Sequence, residues 1–291
     1  MDIMKKDFIY LDWNAIKYLK DNGSRTEFAI ILDVLKLQYL IPYSFAHLCD
    51  LQKNMSDSTM RLINSDLAFL KELTSSYMLG KYKDDFDIDQ KSIDQKFEEV
   101  KSYNLNIFPN PMIPSDIIDE MKTLGLKNYF QKEENIKWYV PTFLKALNRF
   151  ECDPVLYNLF REIFTIEAPI KELQFFNKLS ENPITSQGLI EVVNCFIKFN
   201  NTENLCTSEK LRLAYLLLDF NSKYREKINK KTNFTNMYTD CEHMLNASHA
   251  KYYLSQDSST RIRTRFVYDT YNIGTKVYSI DEFISVTSNL S

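Results

Sequence analysis

Hydrophobic and polar positions follow one another in short blocks that predict strands and helices in turn. The first apolar block, residues 8–11, is rich in β-branched and aromatic side chains and stops at Asp12, which is typical of a buried strand. Apolar residues at helical spacing follow it, and a second amphipathic helix is predicted over 28–37. A brief extended run over 39–43 leads to Ser44, which is placed to cap another helix. Further helical spacing covers 57–79, 209–224 and 240–249, and residues 84–99 are dense in acid.

The C-terminal part repeats the order of strand and helix. Residues 252–254 form a strand-like block, residues 258–271 a helix and residues 276–278 a last strand. Each predicted strand ends on a polar residue. Strands that alternate with helices in this way indicate an α/β fold with a parallel sheet, whose functional edge lies at the carboxyl ends of the strands.

The middle of the chain has a different texture. Seven of the eight prolines lie between residues 100 and 206, among short aromatic-rich helical stretches such as 138–150 and 156–164. We therefore predict a core made of residues 1–100 and 206–291, interrupted by a large all-helical insertion over 101–205.

Composition excludes several classes of function. The 291 residues include only 5 glycines, and none are spaced for the glycine-rich loops that bind dinucleotides or nucleoside triphosphates. The formal net charge is −3, so a polyanionic partner has to be met by a local basic patch.

Cysteine usage and hydropathy indicate the compartment. The five cysteines are scattered and odd in number, which favours reduced thiols. The N-terminus lacks the features of a signal peptide, and the longest apolar run, 211–220, is far shorter than the ~20 residues of a membrane span. We expect a cytoplasmic protein with no membrane partner.

Acidic side chains mark the predicted functional edge. Two of them follow strands, and two lie three positions from a histidine on a helix; these acids are Asp12, Asp257, Asp50 and Asp240. Carboxylates gathered at the ends of parallel strands repel one another unless a cation neutralises them, and oxygen ligands suit Mg²⁺ or Mn²⁺. Such a site can activate water for the hydrolysis of a phosphodiester.

Three segments resemble the successive motifs of PIN-domain nucleases. They are FIYLDWN (8–14), IPYSFAHLCDL (41–51) and DCEHMLNASHAKYYLSQD (240–257). The resemblance implies a three-layer parallel-sheet PIN-like core and an endoribonuclease, with RNA rather than DNA as substrate. It also implies that Asp12, Asp50, Asp240 and Asp257 are the metal-binding and catalytic residues. Many toxin-like members act in bacterial stress or defence, and a protein partner or inhibitor at the insertion is compatible with this.

Neighbouring polar residues receive supporting roles in this hypothesis. Orientation of the acids is assigned to Asn14, His47, His243 and Ser255, and contact with substrate phosphates to Arg261, Arg263 and Arg265. Structural roles remain open for the same residues, because Asp, Asn and Ser commonly cap helices and a charge run is often a solvated face.

Two other functions remain open. The chain can be a catalytically silent PIN-like module that binds protein or RNA through its insertion. It can also be an aspartate-nucleophile phosphatase, but that family requires a second aspartate and a small hydroxyl residue where this chain has Asn14 and Ile16. The nuclease hypothesis predicts products with 5′-phosphate and 3′-hydroxyl ends.

Overall fold

The protein is a mixed α/β structure that is mostly helical and contains a small parallel sheet of three strands. The computed structural model describes residues 7–23, 35, 37–102, 115–129, 134–135, 171–181, 183–199, 204–225 and 234–288. In chain order the elements are β1 (Ile9–Leu11), α1 (Trp13–Asp21), α2 (Phe45–Lys53), α3 (Met60–Thr74), β2 (Tyr77–Tyr82), β3 (Asp85–Gln90), α4 (Ile93–Ser102), α5 (Ser115–Leu124), α6 (Leu126–Tyr129), a 3-10 helix (Lys171–Ser180), α7 (Ser186–Phe199), α8 (Thr207–Leu217), a second 3-10 helix (Leu218–Phe220), α9 (Phe234–Ala247), β4 (Tyr252–Leu254), α10 (Ser258–Tyr271), β5 (Lys276–Tyr278) and α11 (Ile280–Ser288).

The chain folds into two compact units. The first contains Met1–Leu105 and Thr239–Ser291, and the second contains Asn106–Tyr238. The second boundary lies beyond the predicted end of the insertion at residue 205, because α8 packs against α7 and belongs with it.

The sheet of the first unit joins the two ends of the chain. Its order is β1-β4-β5, and both pairs are parallel, as the alternation of strands and helices predicted. Leu11 lies opposite Leu254, so β1 and β4 end side by side. All three residues of β1 are buried, which explains why the strand is continuously apolar rather than alternating.

One face of this sheet carries the main apolar core. Ile9, Leu11 and Leu254 pack there with buried residues of α1, α2, α3, α4 and α11. Successive strand residues point to opposite faces, so Tyr10 and Tyr253 lie on the other face, with their ring centroids 6.0 Å apart. The aromatic face is the one that carries the polar groups described below.

A β-hairpin differs from the prediction. The helix expected over 57–79 ends at Thr74, and the acid-dense segment over 84–99 contributes to β3 and α4. Gly80 lies opposite Asp87 in this hairpin, where an added Cβ would lie 2.3 Å from the Asp87 carboxylate. The glycine therefore relieves a cross-strand contact that the helical apolar spacing did not reveal.

Helices and 3-10 turns make up the described part of the second unit. The 3-10 helix at Lys171–Ser180 packs against α7, and the buried amide of Asn221 donates to the carbonyls of Leu179 (2.7 Å) and Glu181 (2.8 Å). The predicted helices over 138–150 and 156–164, and nearly all of the one over 28–37, lie outside the described residues. Among the residues that are described, no helix is long and apolar enough to cross a membrane.

The burial of Leu254 predicts how strongly this residue of the central strand, β4, contributes to the free energy of unfolding. Leu254 is fully buried in the core, so Leu254→Ala should lower the free energy of unfolding by about 2–5 kcal/mol. Leu62 of α3 is 65% exposed, and Leu62→Ala should change it by less than about 0.5 kcal/mol. Urea denaturation of both variants measures the difference. Equal losses would contradict the assignment of the core.

Candidate functional site

Two predicted acids lie at the same edge of the sheet. Asp12 follows β1 directly, and its backbone N–H donates to the Leu254 carbonyl at 3.0 Å. Asp257 follows β4 by three residues, and its side chain accepts a hydrogen bond from the Thr260 N–H at 2.7 Å. Parallel pairing thus brings residues from opposite ends of the sequence to one place, although both carboxylates also cap a helix.

Asp12 is a buried carboxyl group. Its Oδ1 accepts from the Ala15 N–H at 2.8 Å and its side chain is 2% exposed. Burial raises its pKa to about 6, although the neighbouring side chains of His243 and Ser255 act in the opposite direction. Removal from water is therefore only partly compensated by the surrounding groups.

Asp50 has the opposite electrostatic balance. Burial disfavours its charge, but the hydrogen bond from His243 and the charge of Lys53 outweigh burial and leave its pKa below the ordinary value. His243 Nε2 lies 2.8 Å from Oδ2, and Lys53 Nζ lies 3.1 Å from Oδ1. Lys53 also donates to Thr239 Oγ1 of α9 at 2.5 Å. Asp50 is thus an anion with both oxygens engaged.

His47 is held neutral by two backbone groups. Its Nδ1 accepts from the Ser44 N–H at 2.9 Å, and its Nε2 donates to the Leu11 carbonyl at 2.7 Å. Because each backbone group has only one possible role, the ring must be the Nε2–H tautomer. Burial, with the neighbouring His243, lowers the pKa of His47 to about 3. His47 therefore orients the backbone just before Asp12.

A buried network of hydrogen-bonded side chains connects these groups. The Tyr10 hydroxyl lies 2.6 Å from Ser44 Oγ and 2.8 Å from His243 Nδ1. Together with Asp50, this resembles the order of hydroxyl, imidazole and carboxylate in a nucleophilic triad. Tyr10 is fully buried, however, and burial raises its pKa well above the ordinary value, so no substrate can reach its hydroxyl. The hydrogen-bond network therefore serves to orient its own side chains.

The four predicted acids do not form one ligand set in the structure. Asp240 lies within α9, which begins at Phe234, so it does not open that helix as predicted. Asp257 and Asn14 are exposed. Within the described part of the chain, no three His, Cys, Asp or Glu side chains converge closely enough to hold a metal ion. Asp12 and Asp50 interact electrostatically, since the charge of Asp50 raises the pKa of Asp12.

The three arginines have structural partners. Arg263 is fully buried, so it offers no surface to a phosphate, contrary to its predicted role. Arg261 donates to the Ser255 carbonyl at 2.9 Å. Arg265 donates twice to the Val277 carbonyl, at 2.9 and 2.7 Å, and pairs with Glu282. Helical spacing explains this division, because positions 261 and 265 share one face of α10 and position 263 points away from it.

Sequence reasoning missed three residues of this site. Tyr10 was assigned only to a buried strand. Because side chains alternate along a strand, its place between Ile9 and Leu11 could have shown that it lies on the sheet face opposite to theirs. Ser44 was expected only as a cap. Lys53 lies three positions after Asp50, a spacing that predicts an ion pair on a helix.

Comparison of the chain with protein-family models, with curated proteins and with solved structures gave no match.

The raised pKa of Asp12, about 6, predicts a pH-dependent gain in stability for Asp12→Asn. Asparagine keeps the helix cap and carries no charge. The carboxyl group binds its proton more tightly when folded, so its contribution is favourable below pH 4 and is lost as pH rises through about 6. At about 1.4 kcal/mol per pH unit, the variant should gain up to about 3 kcal/mol over wild type at pH 8 and nothing below pH 4.

Urea denaturation across this pH range measures the gain. The matched control is Asp94→Asn, which removes an exposed carboxylate that is 66% accessible and pairs with Lys71. It should leave the pH profile unchanged. A destabilised Asp12→Asn variant at pH 8 would contradict the assignment.

Proposed function

We propose that the chain is a PIN-like metal-dependent phosphodiester hydrolase, an endoribonuclease that uses the carboxyl edge of its parallel sheet. The observation that carries the proposal is Asp12, a buried carboxyl group with raised pKa at the end of β1, beside the end of β4 and under the influence of Asp50. Ligands in parallel α/β sheets bind at this edge. The three-layer core belongs to the same proposal and is supported by apolar and aromatic side chains on opposite sheet faces.

The donor chemistry of two aspartates suits a divalent cation. A cation next to Asp12 would offset the charge that burial disfavours, and Asp257 is exposed at the neighbouring strand end. Mg²⁺ and Mn²⁺ commonly use one or two carboxylates and retain several waters. We assign Asp12 and Asp257 as the residues that would hold the ion. Asp50 does not fit as a direct ligand in its present pairing, because His243 and Lys53 engage both oxygens.

The protein side chains then have separate tasks. When bound, Mg²⁺ or Mn²⁺ would supply an activated water and balance charge on the phosphate oxygens. Asp12 has to lose its proton first, which occurs above about pH 6. Asp50 stays ionised in its pairing with Lys53 and His243, and its charge acts on Asp12. Ser255 lowers the pKa of Asp12 and so favours its ionised form.

The compartment follows from the same proposal. In the described part of the chain, Cys49, Cys195, Cys206 and Cys241 form no disulfide. Free thiols are usual in the reducing cytoplasm, where we place the enzyme.

A silent interaction module is the second candidate. The internal pairing of Asp50 with Lys53 and His243 favours it, because a carboxylate that is already neutralised has less need of a metal. In this case the second unit would bind protein or RNA. A calorimetric titration with Mn²⁺ separates the two: no heat and no thermal stabilisation would favour the module.

Removal of the Asp12 charge tests the catalytic assignment. Asp12→Asn should abolish Mn²⁺-dependent cleavage of single-stranded RNA, because an amide binds divalent cations weakly and carries no charge. Denaturing gels and mass spectrometry of the ends measure cleavage and should show 5′-phosphate products from wild type. Asp94→Asn should cut at the wild-type rate. Normal cleavage by Asp12→Asn would contradict the proposal.

Acid should weaken metal binding. A proton on Asp12 competes with the cation below about pH 6, so the Mn²⁺ affinity should fall by up to about tenfold for each further pH unit. Isothermal titration calorimetry at pH 5, 6 and 7.5 measures this trend. An affinity that is equal at pH 5 and pH 7.5 would show that Asp12 does not bind the ion.

A further inference from the structure

Tyr10 joins the elements that carry two of the acids. It lies on β1, which ends at Asp12, and its hydroxyl contacts Ser44 at 2.6 Å, directly before the helix α2 that carries Asp50. The same hydroxyl contacts His243 of α9 at 2.8 Å, and His243 in turn holds Asp50 at 2.8 Å. One hydroxyl therefore lies at the junction of a strand and two helices.

The donors and acceptors of this hydrogen-bond network can be assigned. The carboxylate of Asp50 can only accept, so His243 Nε2 carries the proton that it donates. In the neutral ring, Nδ1 then accepts from the Tyr10 hydroxyl, which leaves the Tyr10 oxygen to accept from Ser44. Every donor points towards Asp50. The reverse direction would make the Ser44 hydroxyl compete with its own N–H for His47 Nδ1.

Burial gives the hydroxyl of Tyr10 a cost that packing alone does not explain. A phenylalanine would fill nearly the same volume without a polar group to satisfy, and a buried hydroxyl that lacks a hydrogen bond costs free energy. Tyr253 is the cross-strand neighbour of Tyr10 and is equally buried on the adjacent strand. The hydrogen bonds that join Tyr10, His243 and Asp50 do not involve it. It provides a matched comparison within the same core.

We propose that Tyr10 is a positioning residue that holds Asp50 in a fixed place beside Asp12 by orienting His243. The Tyr10 hydroxyl and the Asp50 carboxylate engage opposite nitrogens of the His243 ring, and Ser44 links the same hydroxyl to the start of α2. This role rests on the proposed function, because it gives Asp50 a task next to the reacting groups.

Histidine NMR tests the positioning without any activity. The chain has only 3 histidines, so long-range proton–nitrogen spectra are simple to assign with single variants. Wild type should show His243 as the Nε2–H tautomer at pH 7.5. Tyr10→Phe should move the Nδ1 resonance of His243 to the value of an imidazole nitrogen that accepts no hydrogen bond. Tyr253→Phe should leave this resonance in place. An unchanged resonance in Tyr10→Phe would overturn the proposal.

A double-mutant cycle gives a second readout that needs no enzymatic activity. If Tyr10 acts on Asp50 through His243, the shifts in thermal midpoint of Tyr10→Phe and Asp50→Asn should not add in the double variant. The shifts of Tyr253→Phe and Asp50→Asn should add. Additive shifts in both cycles would overturn the proposal, even if Tyr10→Phe is itself less stable.

RNA cleavage completes the test. Tyr10→Phe should lower kcat by about 10–100-fold, as the loss of groups that orient catalytic residues does, and should leave KM within about twofold. Tyr253→Phe should keep both values. If wild type does not cleave RNA, the proposed function fails, and the NMR spectra and the cycle still decide the role of Tyr10. A Tyr10→Phe variant that cleaves like wild type would overturn that role in catalysis.

Discussion

The parallel pairing of β1 with β4 determines where the strand-end acids of the site lie. β1 begins at residue 9 and β4 at residue 252, so the pair joins two distant parts of the sequence. Because both strands run in the same direction, the residues that follow them meet at one edge. Asp12, Ser255 and Asp257 all depend on this register, and a one-residue slip would move Tyr10 to the wrong face.

Opposite environments separate the two central carboxyl groups. Asp12 has backbone and hydroxyl partners but is buried, which raises its pKa, whereas Asp50 has a lysine and a histidine that lower its own. Pairs of acids whose pKa values are pushed apart are common in active sites, since one group can bind protons while the other remains charged. Internal ion pairing also produces such shifts, and for this reason Asp50 is assigned an electrostatic role in place of direct coordination.

Local signals predicted the short elements well. The strand at 8–11, the cap at Ser44 and the closing strand at 276–278 follow from residue type and spacing, because each depends on near neighbours. The hairpin was missed since its first apolar residues fit helical spacing equally well. Tertiary packing likewise determines the burial of Arg263. The sequence alone predicted that it contacts substrate phosphates together with Arg261 and Arg265.

The site was predicted in part. Sequence could place Asp12 and Asp257 at strand ends, but it could not show that His243 contacts Asp50, because that contact depends on how α2 and α9 meet. The most direct test of the central claim is the anomalous diffraction of crystals soaked in Mn²⁺ at pH 7.5. The account predicts a manganese peak at about 2.1 Å from carboxylate oxygens of Asp12 and Asp257. A peak only at other residues, or none, would contradict it.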